Sequence, residues 1–411
     1  MNSWFVMISK KLINGFLLLV LFTAVVPCLA VRTNFIGTGD AHDWCDAASW
    51  DNDIPGADDE ASVQGDGTLI IDTGCRPTVG LLRGPGRAAG HTTLTIRDEL
   101  TVAGSDWRAG YFGEGTLNVE PGAVITVNSR IYAGFFGTLH MNMTGGSIYT
   151  PGYLQFATGD SDAAFDCNMM DGSISSDTHM YLGTKGDCTV NMTGGQISTP
   201  SGMHVFMGFE TGTSILTVDG GTVSVGNTLR MADGGSTAIL NILSGSVSSS
   251  SLYVAHHDGG SATVNVSGGV LSASSGGTGL FGVSTAAINM TGGEFNVSGT
   301  FELSKTAGST AQVNLDGGVM MLGSLTVNDG GLIDIGQGVL KIGGNVVSTV
   351  NSYINSGKII GYGGYGSLSV VFDGQYTVAT AGCYSPPGDL NGDCLINYVD
   401  FTIFAWDWLN N

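Results

Sequence analysis

The amino-acid sequence predicts an all-β protein, a right-handed parallel β-helix in which each coil takes about 24 residues. Composition points to strands, because 66 of the 411 residues are glycine and only 12% are charged. A motif ending in glycine recurs along most of the chain, as in "MNMTGG" and "INMTGG". Apolar residues alternate on both sides of that glycine, with the two-residue period of a strand.

The N-terminus predicts export. Lys10 and Lys11 precede the apolar run "LINGFLLLVLFTAVVP", and the small residue Ala30 follows it, so residues 1–30 form the expected signal peptide. A lipoprotein acylated at Cys28 is the alternative, but "VVPC" fits such sites poorly. We expect a secreted or cell-surface protein with no membrane span after signal cleavage.

Charge and cysteine content agree with an extracellular protein. Loss of Lys10 and Lys11 takes the formal charge from −21 to −23, which disfavours nucleic acid as a partner and favours divalent cations. Six cysteines remain once Cys28 is set aside, namely Cys45, Cys75, Cys167, Cys188, Cys383 and Cys394. Bridges between sequence neighbours are the simplest expectation, although spacing leaves the connectivity open.

The glycine motif sets the period of the repeat. Its last glycines lie 23 to 26 residues apart, at Gly122, Gly146, Gly172, Gly195, Gly221, Gly245, Gly269, Gly293 and Gly318. A period of this length predicts a solenoid, in which each unit buries its apolar face only against its neighbours.

Equivalent positions in the repeat carry equivalent residues. Apolar or cysteine residues stand three and five positions before each glycine and apolar residues stand two positions after it, so we expect them in the core. Asparagine stands four positions before eight of the nine glycines, although it is a poor strand former. We expect these amides to hydrogen-bond from coil to coil across the roughly 4.8 Å spacing of stacked strands.

A third strand in each coil reads apolar-x-apolar-small, as in "IYAG" from Ile131 and "LYVA" from Leu252. Its middle residues predict an outward column of Tyr132, Gln155, Tyr181, Phe206, Arg230 and Tyr253. Flat aromatic rings stack on sugars, so Tyr132, Tyr181, Phe206 and Tyr253 are the candidate glycan contacts. The alternative is that the rings only stack on one another.

The predicted β-helix runs over residues 69–345, as about twelve coils in a rod roughly 55 Å long. Residues 31–68 form the expected N-terminal cap, and residues 346–382 a C-terminal β cap and linker. The cap contains Trp44, Trp50 and Pro55 in "DWCDAASWDNDIP". This stretch resembles the opening of secreted bacterial β-helix proteins of the autotransporter-like and pectin-lyase-like kind.

The C-terminal segment "GDLNGDCLINYVDFTIFAWDWLNN" predicts a small EF-hand-like calcium loop followed by a helix. Oxygen ligands occupy positions 1, 3, 5, 7, 9 and 12 of such a loop, namely Asp389, Asn391, Asp393, the carbonyl of Leu395, Asn397 and Asp400. Phe401, Phe404 and Trp408 then recur at helical spacing. The alternative is an ordinary turn rich in Asp and Asn before a terminal helix.

Residues 383–411 resemble one half of a type I dockerin, whose repeat reads D-x-N-x-D-x-x-x-N-x-x-D before an apolar helix. The resemblance implies calcium as cofactor and a cohesin-like or cell-surface protein as partner, although such dockerins carry two repeats. Cys394 replaces the usual glycine at position 6. A disulfide between Cys383 and Cys394 accounts for both residues.

Two functions remain open from the sequence. The first is a structural or adhesive rod, attached through its calcium-binding tail and associated with polysaccharide. The second is a polysaccharide-degrading glycoside hydrolase or lyase, because many pectin-degrading enzymes are parallel β-helices. The sequence offers no catalytic residues. Glu210, Asp233 and Asp258 lack partners at equivalent positions on adjacent coils, and we expect His256 and His257 to be surface loop residues. We expect His179 and His204 to lie close together on neighbouring coils, as a surface pair.

Overall fold

The computed structural model describes residues 30–88, 90–382, 388–391 and 396–410. Nearly all of the predicted signal peptide therefore lies outside the described residues, as do Cys383, Asp393, Cys394 and Leu395. Within the described ranges, no helix has the length and apolarity needed to cross a membrane.

The chain forms a parallel β-solenoid of about fourteen turns with about 24 residues per turn. The first strands, β1 to β9, span Arg32–Asn34, Ala41–Asp43, Glu60–Ser62, Thr68–Ile71, Thr78–Val79, Leu81–Arg83, His91–Ile96, Glu99–Val102 and Trp107–Ala109. Strands β10 to β21 span Glu114–Val119, Val124–Val127, Ile131–Ala133, Thr138–Met143, Ser147–Thr150, Leu154–Phe156, Ala164–Met169, Ser173–Ser176, Met180–Leu182, Asp187–Met192, Gln196–Ser198 and Val205–Met207.

The later strands are longer because several run through a corner of the coil. Strands β22 to β32 span Thr213–Met231, Thr237–Val254, Ser261–Val266, Val270–Thr278, Thr285–Leu303, Thr310–Val327, Gly331–Ile335, Val339–Gly343, Ile359–Gly361, Ser367–Phe372 and Tyr376–Gly382. In the described part of the chain the α-helices are α1, Val347–Asn355, and α2, Tyr398–Asn410, and short 3₁₀ turns cover Ala47–Ser49 and Tyr362–Gly364.

Each coil contributes one strand to each of three parallel faces. We name them from one coil: β10 lies on the first face, β11 on the second and β12 on the third. These strands pair in parallel with β13, β14 and β15 of the next coil. Strands β1 and β3 already pair in this way, so the solenoid starts before Leu69 and has more turns than the twelve expected.

The core columns predicted on the first face are confirmed, since the residues three and five before each motif glycine are all buried. On the second face one expected core residue, Val124, is instead 43% exposed. Its neighbour Ile125 is buried and pairs with Ile148 of the next coil. The chain is one residue longer between Val119 and this strand than in the next coil, so counting from Gly122 selects the wrong residue.

The motif glycine is required by both backbone angle and space. Gly195 has φ of +77°, and a Cβ there would lie 2.7 Å from the carbonyl oxygen of Gly172 in the preceding coil. At Gly293 φ is +66°, and the corresponding distance to the Gly268 oxygen is 2.6 Å. An L-residue would meet both a strained turn and a clash with backbone, so the repeat keeps glycine there.

The predicted asparagine column is confirmed on the first face. The Nδ2 of Asn265 donates to Oδ1 of Asn241 at 2.8 Å, and Asn289 and Asn314 each repeat this bond to the asparagine below at 2.8 Å. Where Thr217 interrupts the column, Asn241 donates to its hydroxyl at 3.3 Å. The side-chain amides thus extend the backbone ladder outside the core.

Both ends of the solenoid are covered by structure that departs from the parallel repeat. At the N-terminal end Trp44 and Trp50 are buried in edge-to-face contact, with ring centroids 4.8 Å apart. At the C-terminal end β29, β32 and β31 pair antiparallel, which stops the parallel ladder. Helix α1 packs there with Val350 fully buried, and the hydroxyl of Tyr353 lies 3.5 Å from the carbonyl oxygen of Leu325.

The cysteines follow neighbour pairing only in part. Cys45 and Cys75 form a disulfide, but Cys167 and Cys188 are buried free thiols within the described chain. The expected bridge between them is wrong because Cys167 pairs in register with Val190, and Cys188 with Phe165. Burial raises the pKa of Cys167 to about 12, so this thiol stays protonated in the core.

Candidate functional site

The outward column of the third face is assembled as predicted. Tyr132 pairs in register with Gln155, and the column continues through Tyr181, Phe206, Arg230 and Tyr253. Because each strand lies directly over its equivalent, residues about 24 apart in sequence become neighbours on this surface. We call this set of six residues the aromatic column.

Rings of the aromatic column stack on each other along the solenoid axis. Tyr181 and Phe206 are parallel within 4°, with centroids 4.7 Å apart, and the Arg230 guanidinium lies 5.1 Å from the Phe206 centroid. Phe206 is consequently only 6% exposed, while Tyr132, Tyr181 and Tyr253 are half-buried. Phe206 therefore has no free ring face, and the three tyrosines provide the accessible aromatic surface.

A shallow groove of about 260 Å³ lies beside the lower half of this column. Its walls include Tyr132, Gln155, Tyr181, Phe135 and Phe209. Lys185 and Glu210 also border it, and their side chains form an ion pair at 3.7 Å. Glu210 therefore has a partner, contrary to the expectation from sequence.

The small residue that ends each third-face motif has a conformational role. Ala232 and Ala255 both have left-handed backbones, with φ of 53° and 55°. Glycine adopts this geometry most easily and stands at the same position in other coils, as at Gly183 with φ of 74°, and the geometry turns the chain sharply after the strand. The next residues, Asp233 and His256, occupy equivalent places on adjacent coils, because Arg230 pairs with Tyr253 three positions earlier.

Asp233, His256 and His257 come together at this turn. His256 Nδ1 lies 3.5 Å from one carboxylate oxygen of Asp233, and His257 Nε2 lies 3.3 Å from the other. Sequence analysis missed this cluster, treating Asp233 as isolated and the histidines as loop residues. Extending the third-strand alignment by one residue, from "LRMA" and "LYVA" to the residue that follows, places Asp233 beneath His256.

Asp258 also has a partner, because its Oδ1 accepts a hydrogen bond from the backbone N–H of Val283 at 2.6 Å. The expectation that Asp258 stands alone is therefore wrong. The carboxylate anchors the loop of the next coil.

His179 and His204 lie close together, as predicted. Their rings stack with centroids 4.8 Å apart, and the backbone N–H of His204 donates to His179 Nδ1 at 3.0 Å. Burial, with a smaller contribution from Arg230, lowers the pKa of His179 and lowers that of His204 to about 4. Both rings are therefore neutral near pH 7.

The C-terminal loop is described at four of its six predicted ligand positions. Asp389 and Asp400 are buried, and Asp400 lies in the first turn of α2. Oδ2 of Asp400 accepts the backbone N–H of Asn397 at 2.7 Å, and its Oδ1 accepts that of Leu390 at 2.7 Å. Asn397 in turn caps α2, its Oδ1 accepting the N–H of Val399 at 2.7 Å.

These contacts hold the two ends of the loop together at the start of α2. The N–H of Asn397, together with those of Leu390 and Asn391, keeps the pKa of Asp400 below its usual range. Asp400 is thus charged at neutral pH, and its Oδ1 accepts the N–H groups of both Leu390 and Asn391. The other two predicted ligands, Asp393 and Leu395, and the predicted Cys383–Cys394 bridge lie outside the described residues.

Two clusters in the described chain bring three potential metal ligands within 4.8 Å of one another. One comprises Asp43 with Cys45 and Cys75, whose sulfurs are already joined to each other. The other is Asp233, His256 and His257. Comparisons of the chain with protein-family models, with curated proteins and with solved structures each found no match.

Proposed function

We propose that this chain is an exported structural or adhesive protein, a right-handed β-helix rod that associates with polysaccharide. Its C-terminal segment acts as a calcium-dependent, dockerin-like attachment module that binds a cohesin-like or cell-surface protein. Export is supported by the signal-like N-terminus and by the disulfide between Cys45 and Cys75, because such bonds persist mainly in oxidising compartments.

The observation that carries the proposal is the exposure of apolar side chains on α2, next to the acidic loop. Phe401, Phe404, Trp406, Trp408 and Leu409 are between 52% and 81% exposed. Clustered exposed aromatics of this kind are typical of a protein-binding surface. The loop that begins at Asp389 closes on the first turn of the same helix, so an ion bound there would stabilise the position of that surface.

Polysaccharide association is supported by the aromatic column. Its tyrosines lie in a single line on one face, beside the groove that Phe135 and Phe209 border. A linear polymer lying along such a line would meet the accessible tyrosine rings at intervals of two and three coils.

Calcium titration of the full-length exported chain tests the attachment module. After removal of divalent ions with a chelator, we expect one Ca²⁺ to bind per chain, measured by isothermal titration calorimetry. Trp406 and Trp408 on α2 provide a second signal through their fluorescence. Asp400→Asn removes the negative charge and replaces one of the two carboxylate oxygens by an amide nitrogen, so it should abolish this binding.

Asp407→Asn is the matched control, since it removes the same charge from the same helix outside the predicted loop. It should bind Ca²⁺ like the parent chain. The attachment proposal fails if the parent chain binds no Ca²⁺, or if the two variants bind it equally well.

A further inference from the structure

The cluster of Asp233, His256 and His257 is distinct from the C-terminal loop and is formed by the coil spacing itself. Asp233 follows the left-handed residue of one coil, His256 follows that of the next, and His257 comes one residue later. Stacking therefore places two imidazoles against one carboxylate without any specialised loop. Metal-binding residues in proteins commonly include these two side-chain types.

The distances suit an ion better than a hydrogen bond. The two nitrogen–oxygen separations, 3.5 and 3.3 Å, exceed the length of a good N–H···O bond, which is about 2.9 Å. In a tetrahedral zinc site with bonds of about 2.0–2.1 Å, neighbouring ligand atoms lie about 3.3 Å apart. The three ligand atoms all fall within 4.8 Å of one another. The two separations end on different oxygens of Asp233, so one ion would be held by both oxygens or by a carboxylate rotated toward both imidazoles.

His256 provides an independent observation. This residue is only 3% exposed, and its Nδ1 has no hydrogen-bond partner among the described residues. A buried polar atom without a partner destabilises the fold, so its persistence calls for a ligand. The nitrogen faces the carboxylate of Asp233, and an ion shared by the cluster would lie between the two.

Aromatic neighbours hold the His256 ring in place. Tyr253 of the aromatic column stacks on it, with centroids 5.2 Å apart and planes within 5°. Phe281 of the following coil contacts its edge at 4.9 Å and also lies 5.9 Å from His257. A ring fixed in this way loses little entropy on binding an ion, so the cluster is preorganised.

We propose that Asp233, His256 and His257 bind one Zn²⁺ ion, leaving the fourth coordination position open. Two imidazoles and one carboxylate form the ligand set of zinc sites that retain a water molecule. The His257 side chain is 45% exposed and Phe281 is 62% exposed, so the open position faces solvent at the upper end of the aromatic column. This proposal stands independently of the calcium-binding tail.

Zinc binding is tested on the full-length chain, stripped of metals and then kept in excess Ca²⁺ so that the tail does not compete. We expect one equivalent of Zn²⁺ to bind, measured by competition with a chromophoric chelator. Co²⁺ in its place should give the intense visible absorption of a tetrahedral site. His257→Ala and Asp233→Asn should each weaken binding by at least about 100-fold, since direct ligands matter more than their outer-shell partners.

His140→Ala is the matched control. His140 also lies between two carboxylates, 3.4 Å from Glu114 and 3.2 Å from Asp166, but on the first face. This variant should bind Zn²⁺ like the parent chain, and circular dichroism should show all variants folded. The proposal is overturned if the parent chain binds no Zn²⁺, if the cluster variants bind like the parent, or if His140→Ala alone loses binding.

Discussion

Single side chains show why the repeat could be interpreted from sequence. An asparagine such as Asn289 makes sense only when the coils above and below are considered, because it donates to Asn265 and accepts from Asn314. Periodicity predicted this column because every member follows the same rule. Asp233 and His256 occupy equivalent positions on adjacent coils, but their residue types differ, so a search for repeated residue types did not indicate a shared role.

Replacing Asn265 by alanine should lower the free energy of unfolding by about 1–3 kcal/mol, because it removes two side-chain hydrogen bonds. Asn265 donates to Asn241 and accepts from Asn289, each at 2.8 Å. Denaturant unfolding monitored by circular dichroism measures the change.

Asn128→Ala is the control, since this exposed asparagine lies in a turn outside the column. A surface substitution of this kind changes stability by less than about 0.5 kcal/mol. An equal effect for the two variants would show that the amide column adds nothing to stability.

At the scale of elements, the strands were predictable from sequence, but helix α1, at the C-terminal end of the solenoid, was not. Its sequence "VSTVNSYIN" is rich in β-branched residues and serine, which have low helix propensity. The helix forms where Val350 can be buried against the last coil, so tertiary packing overrides local preference.

The third-face strands show the opposite case. Their apolar-x-apolar-small pattern was clear, and the left-handed turn after it supplies the reason for the small residue.

The aromatic column yields a prediction about this face. Tyr181→Ala should reduce retention of the chain on a polysaccharide affinity gel, because it removes an accessible ring beside the groove. Gels cast with xylan and with polygalacturonate serve as probes, and relative mobility gives the affinity. Removing one stacked ring should cost about 0.5–1.5 kcal/mol, or roughly a twofold to twelvefold weaker affinity.

Tyr365→Ala is the matched control, because Tyr365 is 74% exposed and lies beyond the parallel coils. Its retention should equal that of the parent chain. Unchanged retention of Tyr181→Ala on a gel that binds the parent would remove the column as a glycan surface.

For the whole molecule, the solenoid depends on its covered ends. Parallel ladders leave unpaired backbone groups at both termini, and such edges promote association between chains. The buried pair Trp44 and Trp50 occupies one end, and α1 with the antiparallel strands occupies the other. The sequence predicted caps in both places, but the number of turns was underestimated because Thr33 and Ala61 replace larger aliphatic residues in the column that Leu82 continues.

Val350→Asp should therefore produce self-association. The substitution places a charge at a fully buried position and should detach α1 from the last coil. We expect concentration-dependent oligomers in size-exclusion chromatography with light scattering.

Val371→Asp introduces the same charge on β31, where the side chain is 55% exposed, and should leave the chain's oligomeric state unchanged. If both variants show the same mass distribution as the parent, α1 does not protect the edge.

The regular stacking of coils also makes the length of the protein adjustable. Because each unit contacts only its two neighbours, duplicating one repeat of the gene would lengthen the rod by roughly 4.8 Å and leave every other contact intact. Distance between the two extremities would then evolve in discrete increments. An attachment protein built this way can match the thickness of the layer it crosses by gaining or losing whole repeats.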